Sequence, residues 1–494
     1  MDGKGIGEGG SLHPTLHGEA VKDGSYGRLL AQRAWARLSM KERVGVLRRA
    51  RYALSHQSGA LAAAMPVELS RTAADARVAE ILPLLAACEF VEKNAARILA
   101  VRRLGGRGLP FWLSGVDAEV QRVALGTVLV IGPSNYPLFL PGVQVLQALV
   151  AGNAVVWKPG RGGKRVAEIV AGALYSAGLP RELVVVTEDT VEAGEAAIRG
   201  RVDKVVFTGS AENGRAVLRV AAERMIPCVV EASGCDAVVV LPSADLERVV
   251  KALVFGLRLN GSATCMAPRR VLVMGRRAEE LVSRLARAVE CVPAVMLGPA
   301  VWEQVMGLLA EAEASGAMVI GEMEGSEMRP VLITNANLKM KIARADVFAP
   351  VLSVIAVDGV EGVLAAQDAC PFGLTAAIFG EEREARAMAA RLEVGTVLVN
   401  DLIVATADPR VPFGGRRMSG FGVTRGAEGL LEMTAVKVVS VQRGRGTRAY
   451  EATSEEHTEM FDGLILAGHS PTWRQRWRGL KQMVRRARGL GKGK

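Results

Sequence analysis

One cysteine stands where a loop can present it to a substrate. The stretch Asn260-Gly261-Ser262-Ala263-Thr264-Cys265 follows a helix predicted over 246–259, and its small residues carry the thiol onto a turn. A free cysteine has a pKa of about 8.5, so it becomes a thiolate near neutral pH only beside a base or in an electropositive setting. Glu231, in a glycine-containing stretch upstream, could supply or relay that base. Asn135 or backbone N–H groups could hold an oxyanion. A lone cysteine is more often a small core hydrophobe than a nucleophile, so the assignment depends on the rest of the chain.

The chain has 494 residues, half of them hydrophobic, with 55 glycines and only 4% aromatics. That length predicts two large domains, and the glycine content suits a tightly turned α/β protein. Scarce aromatics argue against stacking platforms for single-stranded nucleic acid. The cysteines at 88, 228, 235, 265, 291 and 370 form no C-x-x-C pair and no cluster with histidine. This indicates neither a disulfide framework nor a metal site and fits a reducing cytoplasm. The first residues lack the apolar core of a secretory signal, and no apolar run reaches the ~18 residues of a membrane span. The expectation is a cytoplasmic protein, at most peripheral to the inner face of a membrane. The net charge of +11 is localised: 473–494 holds nine Lys or Arg and no acid, leaving the body near neutral at +2. A basic tail on a neutral body predicts no nucleic-acid-binding domain.

Residues 1–26 are Gly-rich and polar and read as a flexible N-terminus. Helical spacing follows over 28–38, 40–58 and 73–100, and 109–124 reads as an extended projection. From 126 the pattern alternates, with strands expected at 126–131, 154–158, 183–186 and 204–207 and helices between them. A second alternation places strands at 237–241, 270–274, 318–320, 351–357 and 395–400, and a late strand at 431–441. The fold class is therefore α/β, with two doubly wound domains around buried parallel sheets.

Nine stretches in fixed order carry a resemblance: IGPSNYPL (131–138), VVWKP (155–159), VVFTGSAENG (205–214), VVEASG (229–234), NGSATC (260–265), ADVFAPVLSV (345–354), PFGLTAAIFG (371–380), GTVLVND (395–401) and VPFGGRRMSGFG (411–422). Over roughly 29–441 the chain resembles the aldehyde dehydrogenase superfamily. The resemblance implies that Cys265 is the nucleophile, that Asn135 stabilises the oxyanion with the Cys265 backbone N–H, and that Glu231 is the general base for the hydrolytic water. It implies cofactor contacts from Lys158, Gly209, Ser210, Pro133 and Ser134. Asp346, where the family usually has a Glu, falls at the nicotinamide ribose with Phe348 beside it. Gly209-Ser210 also has its own physical reading: a strand ends and a helix opens, where N–H groups and the helix dipole favour a pyrophosphate. After Lys158-Pro159, where NAD-preferring relatives often carry a Glu, stands Gly160-Arg161-Gly162-Gly163-Lys164. Arg161 or Lys164 could bind a 2′-phosphate, a lean to NADP over NAD.

The chain departs from the family's glycine-rich pattern at Ala232-Ser233-Gly234-Cys235 and at Ser262-Ala263. These residues disfavour positive φ, which predicts differently shaped loops. Cys235 is a second thiol near the site and reads as structural. The resemblance implies a cofactor domain (27–108 and 125–231), a catalytic domain (232–430) and a small β oligomerisation arm (109–124 and 431–442), with a homodimer or homotetramer formed through that arm. Beyond it, 443–470 reads as a linker within a basic extension (443–494). In 473–490, Trp473, Trp477, Leu480 and Val484 fall on one face of a helix ringed by Arg. That is the composition of a membrane-surface helix, against the alternative of a disordered basic tail. The function expected is NAD(P)-dependent oxidation of a small-molecule aldehyde to a carboxylic acid. The alternatives are a CoA-acylating or reductive relative, or a catalytically weak membrane-associated scaffold.

Overall fold

The computed structural model describes residues 25–69, 71–110, 113, 115–444, 450 and 452–490. Most of the N-terminus expected to be flexible (1–24) and the last four residues lie outside them. The chain forms two units: residues up to 99 together with 122–435, and 100–121 together with residues from 436 on.

The first unit opens with helices α1 (Ser25–Arg37), α2 (Met40–His56) and α3 (Leu82–Ile98). A capping box starts α2: Glu42 N donates to Ser39 Oγ, and Ser39 N donates to Glu42 Oε2. The helix expected over 73–100 is interrupted. A short helix at Ala73–Ala76 gives way to a π-turn at Arg77–Ile81 before α3 resumes with Pro83 near its start. Proline lacks the N–H a continuous α-ladder would need, and the looser turn buries Glu80.

A six-stranded sheet follows, built from β1 (Thr127–Ile131), β2 (Ala154–Lys158), β3 (Val184–Val186), β4 (Lys204–Gly209) and β5 (Cys228–Ala232). Its helices include α4 (Phe139–Val150), α5 (Lys164–Ser176) and α6 (Ala211–Glu223). The second sheet has seven strands: β6 (Asp236–Val240), β7 (Pro268–Met274), β8 (Met318–Ile320), β9 (Val331–Thr334), β10 (Val351–Val357), β11 (Thr375–Phe379) and β12 (Thr396–Val399). Helix α7 (Leu246–Arg258) packs beside it. The strand orders are β13-β5-β4-β1-β2-β3, where β13 is Gly420–Phe421, and β8-β9-β10-β7-β6-β11-β12. All pairings are parallel except β13 on β5 and β8 on β9. Both faces of each sheet are covered, as parallel sheets require: Val128 and Val130 face one core and Leu129 and Ile131 another. This is the expected α/β fold with two doubly wound sheets.

Four strands of the two sheets were not expected, β5, β9, β11 and β13. β9 and β11 are short buried runs with no alternation to mark them. The late strand expected over 431–441 starts later: Leu431 and Glu432 end helix α8 (Gly426–Glu432), and the strand runs Thr434–Gln442. Asn153 Nδ2 donates to Met433 O at 2.8 Å and fixes the turn between them.

In the second unit, Arg102–Arg103, Val116–Ala124 and Thr434–Gln442 form a three-stranded sheet. The expected linker at 443–470 contains α9 (Thr458–His469), which forms a helical hairpin with α10 (Trp473–Leu490). A Cβ on Gly463 would lie 2.6 Å from Met483 N and 2.8 Å from Gly479 O, so glycine lets the two backbones touch. No helix among the described residues is long and apolar enough to cross a membrane.

Candidate active site

Strands β1, β2, β4 and β5 end on one edge of the first sheet, the carboxyl edge where doubly wound folds place their ligands. Pro133, Ser134 and Asn135 follow β1, Lys158 closes β2, Gly209 closes β4, and Glu231 lies near the end of β5 opposite Thr208. A side chain at Gly160 would overlap the Pro133 carbonyl, so the loops after β1 and β2 close against each other. Ser210 caps α6, its hydroxyl accepting from Asn213 N at 3.2 Å, which leaves the first backbone N–H groups of a 13-residue helix at this edge.

Lys158 is buried along its stem, and burial holds its pKa below the usual value against the opposing charge of Asp189. Lys164 is ion-paired to Glu188, and Arg161 is exposed. Asp346 accepts from the Ser233 hydroxyl, while its Oδ1 is buried with no hydrogen-bond partner. Burial raises the Asp346 pKa, opposed by the Ser233 hydrogen bond and Arg269. Phe348 lies nearby with the Arg269 guanidinium 5.9 Å from its ring centre. An unsatisfied carboxylate oxygen, a strand-end lysine and an open helix N-terminus are the donor and acceptor set a dinucleotide cofactor needs.

The Cys265 loop is built from three consecutive left-handed residues, Asn260 (φ 55), Gly261 (φ 57) and Ser262 (φ 63). Ser262 therefore keeps a glycine-like backbone instead of reshaping the turn. Arg269 holds it there, donating to the Ser262 hydroxyl (2.9 Å), the Ser262 carbonyl (2.7 Å) and Ala349 O (2.9 Å). Opposite, Asn135 Nδ2 and Asn260 Nδ2 both donate to Ala263 O, at 2.9 and 2.8 Å. Arg71 ties this side together through Asn260 Oδ1 (2.8 Å) and Asn135 O (2.7 Å), and it pairs with the buried Glu80. Glu80 also accepts from Leu138 N and Phe139 N at 3.1 and 2.6 Å. Removing one partner of such a buried pair typically costs about 3–5 kcal/mol, so the Arg71–Glu80 pair is a rigid mount for the loop.

Burial pushes the Cys265 thiol pKa up, as do Glu231, Asp236 and Asp346, and Arg425 opposes them. Glu231 is buried, its Oε2 accepting from Thr424 Oγ1 at 2.9 Å and its Oε1 without a partner. Burial raises the Glu231 pKa, while Arg425 and then Thr424 lower it. Asp236 is raised to about 7 by burial, with Thr375 opposing. Cys235 is buried and donates to Ala343 O at 3.6 Å, and the neighbouring Cys370 together with burial keeps its proton on. Sequence reading did not single out Thr424, Arg425, Arg71 or Asn260 for a role. The first two follow the last quoted motif by two and three residues, where a Thr and an Arg in a glycine-rich turn carry no spacing signal.

The model of the aldehyde dehydrogenase family matches residues 27–439. A benzaldehyde dehydrogenase of Bacillus subtilis (strain 168) is 32% identical over 70% of this chain and 75% of its own. A 4,4'-diapolycopene aldehyde oxidase of Methylomonas sp is 28% identical over 97% of both chains. Among solved structures, an aldehyde dehydrogenase of Mycobacterium tuberculosis complexed with NAD+ superposes with a TM-score of 0.77, at 26% identity, over 85% of this chain and 90% of that one. The chain belongs to the aldehyde dehydrogenase family, oxidoreductases that act on aldehydes with NAD or NADP.

Proposed function

We propose that this chain oxidises an aldehyde to its carboxylic acid through a covalent intermediate on Cys265. The observation that supports the reading is the clamped loop: Asn135 Nδ2 is held on Ala263 O, two residues before Cys265, and Glu231, whose Oε1 is buried without a partner, acts electrostatically on the Cys265 thiol. The Cys265 thiolate attacks the aldehyde carbon and forms a C–S bond. Asn135 Nδ2 and the Cys265 backbone N–H stabilise the oxyanion. Lys158, Gly209, Ser210, Pro133, Ser134, Asp346 and Phe348 would hold NAD(P), which would supply the hydride acceptor for this carbon. Glu231 then takes a proton from water, which attacks the resulting thioester and frees the acid and the Cys265 thiolate. Of the two cations after β2, Lys164 is taken by Glu188, so a preference for NADP rests on Arg161.

The test is NAD(P)H formation from a panel of aromatic, short aliphatic and long polyene aldehydes, with NAD or NADP, with and without CoA. Turnover without CoA that disappears in Cys265→Ala is the expected result. Turnover only with CoA would move the chain to the acylating branch, and no turnover with any aldehyde would leave the scaffold. A higher kcat/KM with NAD than with NADP would remove the role of Arg161.

We also propose that the substrate is a long apolar aldehyde reached at an anionic membrane surface through α9 and α10, in a homodimer or homotetramer joined by the arm strands. Two observations support this. Phe461, Ile465, Trp473, Trp477 and Val484 are exposed on the hairpin, beside Arg474, Arg478, Lys481 and Arg485. The relative named a 4,4'-diapolycopene aldehyde oxidase matches over 97% of this chain.

A further inference from the structure

Arg425 is the feature of the catalytic unit that its chemistry has not yet absorbed. It is 3% exposed and stands at the start of α8 with φ 63 and ψ 175, a backbone conformation open almost only to glycine. Its guanidinium lies between two aromatic rings, 4.3 Å from the centre of Phe413 and 5.4 Å from that of Phe139. One amino group donates to Thr406 O at 2.5 Å, and Nε is buried without a partner. Its neighbour Thr424 holds Glu231. A strained backbone, a buried charge and an unsatisfied donor all oppose folding, and a methionine would fill the same space without two of them.

We propose that Arg425 is a positioning residue for the oxidation: a fixed positive charge, held against Phe413 and Phe139 next to the Thr424 that binds Glu231, that offsets the burial of the Glu231 carboxyl and the Cys265 thiol. The inference rests on Cys265 and Glu231 carrying the reaction as described above. The charges facing these two groups leave few other candidates. Glu231, Asp236 and Asp346 act on Cys265 with the wrong sign, and the Tyr136 phenol nearby is itself held protonated, its pKa pushed up to about 12 by burial. Arg269 also acts on Cys265 electrostatically, but its donors are committed to Ser262, Thr264 and Ala349. Arg425 alone favours the ionised form of both the thiol and the Glu231 carboxyl.

The sign is fixed. Without the cation, both groups hold their protons to higher pH. The experiment compares wild type with Arg425→Met, Arg425→Lys and Arg425→Gly, the last of which also relieves the backbone. Two readouts are taken across pH 5.5–10: site-resolved alkylation of Cys265 by iodoacetamide, which needs no aldehyde, and steady-state kcat. For Arg425→Met and Arg425→Gly the alkylation profile is expected to move up by about one pH unit or more, with kcat at pH 7 down about tenfold or more. Arg425→Lys is expected to stay close to wild type in both. Unmoved profiles in Arg425→Gly, with melting temperature and cofactor binding at wild-type values, would overturn the inference. A Cys265→Ala variant run alongside separates the two levels: if it remains fully active the underlying reading fails, and if it is inactive while Arg425→Gly is unmoved only the role of Arg425 fails.

Discussion

At Glu231 stability and chemistry oppose each other. Burial raises its pKa in the folded chain above the value of about 4.3 expected when unfolded. Between those two values the folded state binds more protons than the unfolded one, so stability falls as pH rises through the window and stays reduced above it. Glu231→Gln removes that fall. It should raise the melting temperature more at pH 8 than at pH 4.5, while abolishing hydrolysis of the thioester; a gain independent of pH would contradict the assignment. The residues proposed for this chemistry differ in how they announce themselves. Cys265, Glu231, Asn135 and Asn260 sit in quoted stretches, whereas Arg71, Thr424 and Arg425 lie outside them. Nothing in the types or spacing of 71 and 260 foretells that one guanidinium bridges Asn260, Asn135 and Glu80.

Among the elements, the alternating strands and helices of both sheets were legible because each is long enough to show its period. The exceptions have physical causes. β9 and β11 are buried on both faces, and so lose the alternation that marks a strand. The interrupted helix at 73–98 depends on a π-turn, which costs the sequence one ladder bond and leaves no pattern. The hairpin α9–α10 was half legible: α10 carries its amphipathic stripe, whereas α9 is short and contains the glycine that makes the crossing. Gly463→Leu should therefore drive the helices apart. Limited proteolysis is expected to cut between 455 and 475 several-fold faster in this variant, with the melting temperature of the catalytic unit unchanged. Equal cutting rates would mean the close approach of Gly463 to Gly479 and Met483 does not hold the hairpin.

The whole molecule joins an enzyme body of near-neutral charge to a basic amphipathic hairpin. Each cation near an anionic surface contributes about 1 kcal/mol, so several on α10 suffice for salt-sensitive attachment. Ending the chain at Ser470 should lower binding to vesicles containing phosphatidylglycerol by more than about tenfold, while leaving turnover of a water-soluble aldehyde unchanged. If full-length and shortened proteins partition equally, the membrane proposal falls. The two compact units follow the charge division only in part, because the second unit also holds the arm sheet.

The carbonyl of Ala263 has two lone pairs, and two amides use them. On the proposed mechanism Asn135 would turn from that carbonyl to the oxyanion, and Asn260 would still donate to it, so no buried acceptor would be left bare. The Asn135 N–H would thus be lent to the oxyanion and returned in each cycle with almost no change in the number of hydrogen bonds. Redundancy at one backbone oxygen would let the proposed oxyanion donor move without loosening the loop that carries the thiol.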